Sequence, residues 1–365
     1  MKKSALFSLL LFLILASCNS QENPNNPTPV TPTTPTVSDD FIRGADLSFL
    51  TEVEENGIKF LDKSGVVSDE LSIFKANGCN YVRVKLWHTP ANAHNGLAEV
   101  VAFSQRIRTK GMKVWLDIHY SDDWADPGKQ AKPAKWAPLS TTALNDSVAA
   151  YTKQVLAAVN PDLVQIGNEV NNGFMWSTGN ISRPADFILL LKTGIKAARD
   201  FNPKMKIMVH FAGYDKADWF FDLLKTNNVD YDMIGLSYYP KWHGSNLDSL
   251  KLTINNLAAK HNKDVNIAEL SYPFTFGYND YTNNIIGSLD QILPAFPPTE
   301  QGQKDYLLAI KKLIKDCPRG NGFCYWGADF IAFKGKTATN GSNWENQALF
   351  DFNNKELPAM AIFAQ

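Results

Sequence analysis

Eight short runs, apolar or alternating apolar with polar, recur along this chain, and longer amphipathic stretches fill the gaps between them. The runs are FIRGADLSF (41–49), NYVRVKLW (80–87), KVWLDIHY (113–120), DLVQIGNE (162–169), KIMVHF (206–211), MIGLSYYP (233–240), VNIAELSY (265–272) and GFCYWGAD (322–329). Helix-like stretches such as LAEVVAFSQRIRTKG and PADFILLLKTGIKAARDF lie between them, and some end on glycines placed as helix C-caps, Gly78 and Gly111. Strand and helix alternating eight times over about 325 residues predict a single-domain α/β fold, the (β/α)8 TIM barrel, over residues 41–365. An open doubly wound sheet is the structural alternative, but no Gly-rich phosphate loop follows any of the runs.

The region before residue 41 reads differently. Residues 1–18, MKKSALFSLLLFLILASC, combine a basic start, a short apolar core and Leu15-Ala16-Ser17-Cys18. The core is too short for a membrane span and reads as a signal peptide. Its ending resembles a bacterial lipoprotein signal, with Cys18 as the lipidated first residue after cleavage and a membrane anchor as the consequence. An ordinary secretory signal is the alternative. Residues 19–40 are rich in Pro, Thr and Asn without periodicity, which predicts a disordered tether. The expected location is the bacterial cell envelope, with the outer-membrane surface as one site. Of the remaining cysteines, Cys317 and Cys324 are spaced to allow a pairing, while Cys324 in a strand-like run also reads as a small buried hydrophobe. The formal charge of −1 gives no general attraction to nucleic acid, and nine Trp with twelve Tyr offer faces on which sugar rings stack. A monomer is expected.

Polar residues cluster toward the C-terminal ends of the runs. Arg83, Lys85 and Trp87 alternate with Val82, Val84 and Leu86; Trp115, Asp117 and His119 alternate with Val114, Leu116 and Ile118. That end of a barrel is the rim on which barrel enzymes build their sites. Glu169 closes the fourth run and Glu269 the seventh, on strands that face each other across the barrel mouth. A pair of carboxyls flanking one bond is what glycoside hydrolysis needs, about 5–5.5 Å apart in a retaining enzyme.

A strand-four Asn-Glu with a strand-seven Glu is the pattern of clan A glycoside hydrolases. Within it, GADLSFL, NYVRVKLW, DIHYSDDWADPGKQ, VQIGNEVNNGFMW, GLSYYPKW, AELSYPFT and NWENQALFD resemble glycoside hydrolase family 53, the endo-β-1,4-galactanases, in order from residue 41 to the C-terminus. The resemblance implies that Glu169 is the general acid/base and Glu269 the nucleophile. It implies that Asn168 holds the sugar 2-hydroxyl, that Arg83 keeps Glu269 ionised, and that Tyr238 donates a hydrogen bond to the nucleophile. His119, Trp124, Asp126 and Trp326 would line the subsites, with Trp326 as a stacking floor. The implied substrate is β-1,4-galactan of pectin, with no cofactor required. A β-1,4-mannanase or a non-catalytic glycan-binding lipoprotein are the alternatives. Lys85 stands where the family has Arg, and Gly327-Ala328 where it often has Glu-Pro. Some bacterial members hold calcium in an Asp-rich loop after strand seven. Here that loop is FTFGYNDYTNNIIG, with Asp280 its charged member beside Asn279, Asn283 and Asn284, so a structural calcium ion is an expectation without assigned ligands.

Overall fold

Alternation of Val, Ile and Leu with larger or polar residues produces strands that bury both faces, which is what a parallel barrel requires. The computed structural model describes residues 41–365. Its eight parallel strands are β1 (Ile42–Asp46), β2 (Tyr81–Leu86), β3 (Lys113–Ile118), β4 (Leu163–Ile166), β5 (Lys206–Ala212), β6 (Met233–Tyr238), β7 (Asp264–Leu270) and β8 (Gly320–Tyr325), and β8 closes on β1. The helices around them include α1 (Glu70–Ala76), α2 (Leu97–Thr109), α3 (Thr141–Val159), α4 (Pro184–Phe201), α5 (Ala217–Thr226), α6 (Leu247–His261) and α7 (Glu300–Lys315). Side-chain caps from Asp69, Ser140, Asn246 and Thr299 start four of them, each accepting a backbone N–H that the helix leaves unpaired.

The period-two expectation describes the barrel well. Val82, Val84, Leu86, Val114, Leu116 and Ile118 pack outward against helices in the main core. A separate small cluster of Ile42, Trp115, Leu163, Met208, Met233, Ala268 and Cys324 fills the barrel interior. Cys324 therefore lies inside the barrel, and Cys79, Cys317 and Cys324 are buried free thiols. The pairing of Cys317 with Cys324 does not form. Desolvation pushes the Cys79 thiol up to about 12, so it is an inert apolar side chain.

One irregularity matters for the site. Along β6–β7 the register runs Leu236–Ile267 and then Ser237–Glu269, and along β8–β7 it runs Phe323–Ile267 and then Tyr325–Leu270. Both neighbours thus place an extra residue in β7 at Ala268–Glu269, a bulge. Val265 and Ile267 face the helices, and strict alternation would send Glu269 the same way. The bulge reverses the phase, so that Leu270 packs outward and Glu269 points into the barrel mouth. Among the described residues, no helix is long and apolar enough to cross a membrane. The expected signal peptide with its Cys18, and the expected tether, lie outside the described residues.

Candidate active site

The β4 tip answers how an Asn and a Glu in succession can serve one cavity. In an extended strand, neighbours point to opposite faces. After β4, Gly167 turns to φ 78° and Glu169 itself adopts a left-handed φ of 45°. A Cβ at residue 167 would stand 2.6 Å from Val170 Cγ1, so only glycine makes this turn. Left-handed backbone costs a non-glycine residue about 1–2 kcal/mol, and here it aims both side chains inward.

Arg83 organises the floor. Its Nη1 donates to Asp46 Oδ2 at 3.1 Å and to Glu269 Oε1 at 2.8 Å. Its Nη2 donates to Asp117 Oδ2 at 2.7 Å and to Asn168 Oδ1 at 2.9 Å. The guanidinium is buried, and three carboxylates surround it. Such a fork holds several acceptors at fixed angles, which a lysine cannot do. With Oδ1 facing Arg83, Asn168 donates through Nδ2 to Ala125 O at 2.8 Å.

The two glutamates approach closely: one carboxyl oxygen of Glu169 lies within 4.8 Å of one of Glu269. Their surroundings differ. Burial, reinforced by the Glu269 charge, pushes Glu169 up to about 8, and among the described residues no cation is bonded to it. Burial also raises Glu269, but the Arg83 cation and the Tyr239 hydroxyl pull it back down. Glu269 therefore gives up its proton first, and Glu169 keeps its own at neutral pH. Two like carboxyls with split affinities are the arrangement that assigns one as acid and one as anion.

The hydrogen bond expected from Tyr238 is made by its neighbour. Tyr239 OH donates to Glu269 Oε2 at 2.9 Å, whereas Tyr238 OH donates to Gly244 O at 2.9 Å. The reason is parity: Leu236 and Tyr238 share the helix-facing side of β6, and Ser237 and Tyr239 share the other. His119 also departs from expectation. It is buried behind the wall, with Nε2 donating to Asp117 Oδ2 at 3.0 Å and Nδ1 accepting from Trp87 Nε1 and Ala125 N, both at 3.3 Å. It supports Asp117 and the Ala125 backbone rather than a subsite.

Trp124, Asp126 and Trp326 do line the cleft, a cavity of about 960 Å³ containing both glutamates and Asn168. Its aromatic walls are Phe49, Trp124, Trp242, Trp326, Phe330 and Trp344. Trp326 meets the edge of Trp344 at 4.6 Å and Trp124 at 6.0 Å between ring centroids. Beneath them the Lys85 ammonium lies 3.7 Å from the Phe49 ring centroid and 4.5 Å from that of Trp124, with no hydrogen-bond partner at Nζ among the described residues. Burial drops Lys85 to about 8. The wall segment after β3 is stitched to the β4 tip: Gln130 Nε2 donates to Asn168 O at 2.7 Å and Asn172 Nδ2 to Pro127 O at 2.9 Å.

A sequence model described as glycosyl hydrolase family 53 matches residues 42–363. The chain belongs to that family. It is 36% identical over 345 residues to the arabinogalactan endo-beta-1,4-galactanase of Cellvibrio japonicus, covering 88% of this chain and 90% of that protein. It is 32% identical over 375 residues to the endo-beta-1,4-galactanase of Bacillus subtilis, covering 90% and 86% respectively. Among solved structures, the Ignisphaera aggregans GH53 catalytic domain superposes with a TM-score of 0.84 at 37% identity, covering 92% of this chain and 99% of that one. In this family 53 chain, the loop after β7 carries oxygens with no partner of their own. Asp280 Oδ2 and Glu345 Oε2 are buried without hydrogen bonds, as is Asn284 Oδ1. Asp280 Oδ1 accepts from Thr282 N at 2.6 Å and Glu345 Oε1 from Asn279 N at 2.7 Å, which fixes both carboxyls. Burial raises Glu345 and the Asp280 charge adds to it, a strain that a hard divalent cation would relieve. Three such oxygens supply part of the six to eight that a calcium ion takes.

Proposed function

We propose that this chain is an endo-acting β-1,4-galactanase that works by retaining double displacement, with Glu269 as nucleophile and Glu169 as acid then base. The observation that carries the reading is the carboxyl approach of 4.8 Å or less, close to the retaining spacing of about 5–5.5 Å and short of the roughly 6.5–9.5 Å that an inverting enzyme leaves for a water. The names of the galactanase relatives support the substrate.

Glu169 protonates the leaving oxygen while Glu269, held by Arg83 and Tyr239, attacks the anomeric carbon. Once Glu269 is an ester its charge is gone. The field that raised Glu169 weakens, and Glu169 then takes a proton from the incoming water. Asn168, locked by Arg83 and the Ala125 carbonyl, is placed for a sugar hydroxyl. Trp326 and its neighbours supply the stacking surface.

Digestion of purified galactan tests this. Short galacto-oligosaccharides released early, with the anomeric configuration kept, are the expected result. Cleavage of mannan alone, or binding without cleavage, overturns it. Glu269→Ala should abolish turnover while oligosaccharides still bind.

Calcium held by Asp280 and Glu345 would serve loop order and not chemistry. Lipid anchoring through Cys18 completes the proposal. It is supported by the signal-like sequence, and acyl adducts on the mature N-terminus by mass spectrometry are the expected result.

A further inference from the structure

His243 closes the one-turn helix Pro240–His243 that follows β6, and its ring lines the cleft. The double displacement as written does not use it. Its Nδ1 accepts the backbone N–H of Tyr239 at 3.0 Å. A backbone amide nitrogen can only donate, so Nδ1 carries no hydrogen. Burial drops His243 to about 4, which leaves the ring neutral at neutral pH. A neutral imidazole has one ring hydrogen, and here it stands on Nε2. Among the described residues no acceptor is bonded to Nε2, and the atom is not sealed from solvent.

The wall that presents this hydrogen starts at the acid. Asn171 lies two residues beyond Glu169 and closes on the end of β5 through both ends of its amide. Nδ2 donates to Ala212 O at 2.8 Å, and Oδ1 accepts from Ala212 N at 2.7 Å. Next in the chain, Gly213 turns to φ 79°, and a Cβ there would stand 2.9 Å from His243 Cδ2. The glycine leaves the space that the imidazole fills. Glu169, Asn171, Ala212 and His243 thus make one side of the cleft, built from the ends of β4, β5 and β6. The leaving oxygen takes its proton from Glu169, so the sugar that departs with that oxygen lies along this side.

We propose that His243 is a substrate-binding residue that donates its Nε2 hydrogen to an oxygen of the departing sugar, on the acid's side of the cleft. The inference rests on the assignment of Glu169 as acid/base and adds a contact to the leaving part of the chain, which that assignment does not supply. Hydroxyl and ring oxygens of a sugar all accept, so a fixed donor finds a partner there. Neutrality suits the place, because a second ring hydrogen on Nδ1 would confront the Tyr239 N–H. The main chain sets the tautomer, so the donor is ready before the sugar arrives. Tyr239 serves twice in this arrangement: its N–H fixes His243, and its hydroxyl bonds Glu269.

Two substrates separate this contact from a structural role. Galactan has a sugar on the leaving side, whereas nitrophenyl β-1,4-galactobioside, read by nitrophenol release, has an aryl ring there. His243→Asn keeps an acceptor for the Tyr239 N–H but is too short to carry a donor to the Nε2 position. Its kcat/KM on galactan should fall about tenfold, the scale of one hydrogen bond between neutral groups, while nitrophenol release stays near wild type. His243→Phe also strips the Tyr239 N–H of its acceptor, so it should slow both substrates. In His243→Asn, equal losses on the two substrates mark a structural role and overturn the proposal, and so does unchanged turnover of galactan. A wild-type protein that cleaves neither substrate would instead refute the assignment of function, and this contact with it.

Discussion

Tyr239 and Tyr238 are adjacent, chemically identical and both buried, yet only one touches the nucleophile. Replacing Tyr239 with Phe removes a hydrogen bond to a charged carboxylate, worth about 1.5–3 kcal/mol. We expect kcat to fall roughly tenfold to a hundredfold, which steady-state kinetics on galactan will read. The sign of the pH effect also follows. The hydroxyl pulls Glu269 down, so its loss raises that group and moves the acidic limb of the profile to higher pH. Tyr238→Phe should leave kinetics near wild type. The parity that separates the two was present in MIGLSYYP, since Leu236 and Tyr238 occupy alternate positions with Ile234. Ser237, whose Oγ donates to Glu169 Oε1 at 2.5 Å, was not legible as a site residue, because a serine inside a strand is ordinary until a carboxyl is seen beside it. His119 misled for the reverse reason: a polar residue at a strand end reads as cleft lining until its two ring nitrogens are found occupied from behind.

At the scale of elements, all eight strands and their order were readable from hydrophobic period and length. What period could not show is where the period breaks. The β7 bulge and the left-handed β4 tip are local departures, and they aim the two glutamates. Gly167→Ala tests the tip. The new methyl group must displace Val170 in a backbone conformation that already costs about 1–2 kcal/mol, so both the melting temperature and turnover should fall. The loop after β7 makes a separate prediction. Calcium should raise the melting temperature of the wild-type protein and chelator should lower it, whereas Asp280→Ala should be indifferent to both. A calcium-independent wild type would show that the buried oxygens of Asp280 and Glu345 are satisfied by water instead.

For the whole molecule, buried acids set how stability depends on pH. Glu70, at the start of α1, is buried with neither carboxyl oxygen bonded, and burial together with the nearby Asp329 charge raises it well above the ordinary range. Glu54 and Asp69 add to this, and Arg106 opposes it. An unfolded chain releases this proton near pH 4.3 while the folded one retains it, so stability is full below that pH and declines as pH rises toward the folded value. Glu70→Gln should therefore raise the melting temperature at pH 8 and leave it unchanged at pH 4. Thermal melts across that interval decide the matter, and equal melting at both pH values would show that Glu70 has a partner. The stitching of residues 125–130 to the β4 tip bears on how such barrels diversify. Gene shuffling that exchanges one of these segments without the other would break their shared amide contacts, so the donor's wall and its acid have to be inherited together for a recombinant to work.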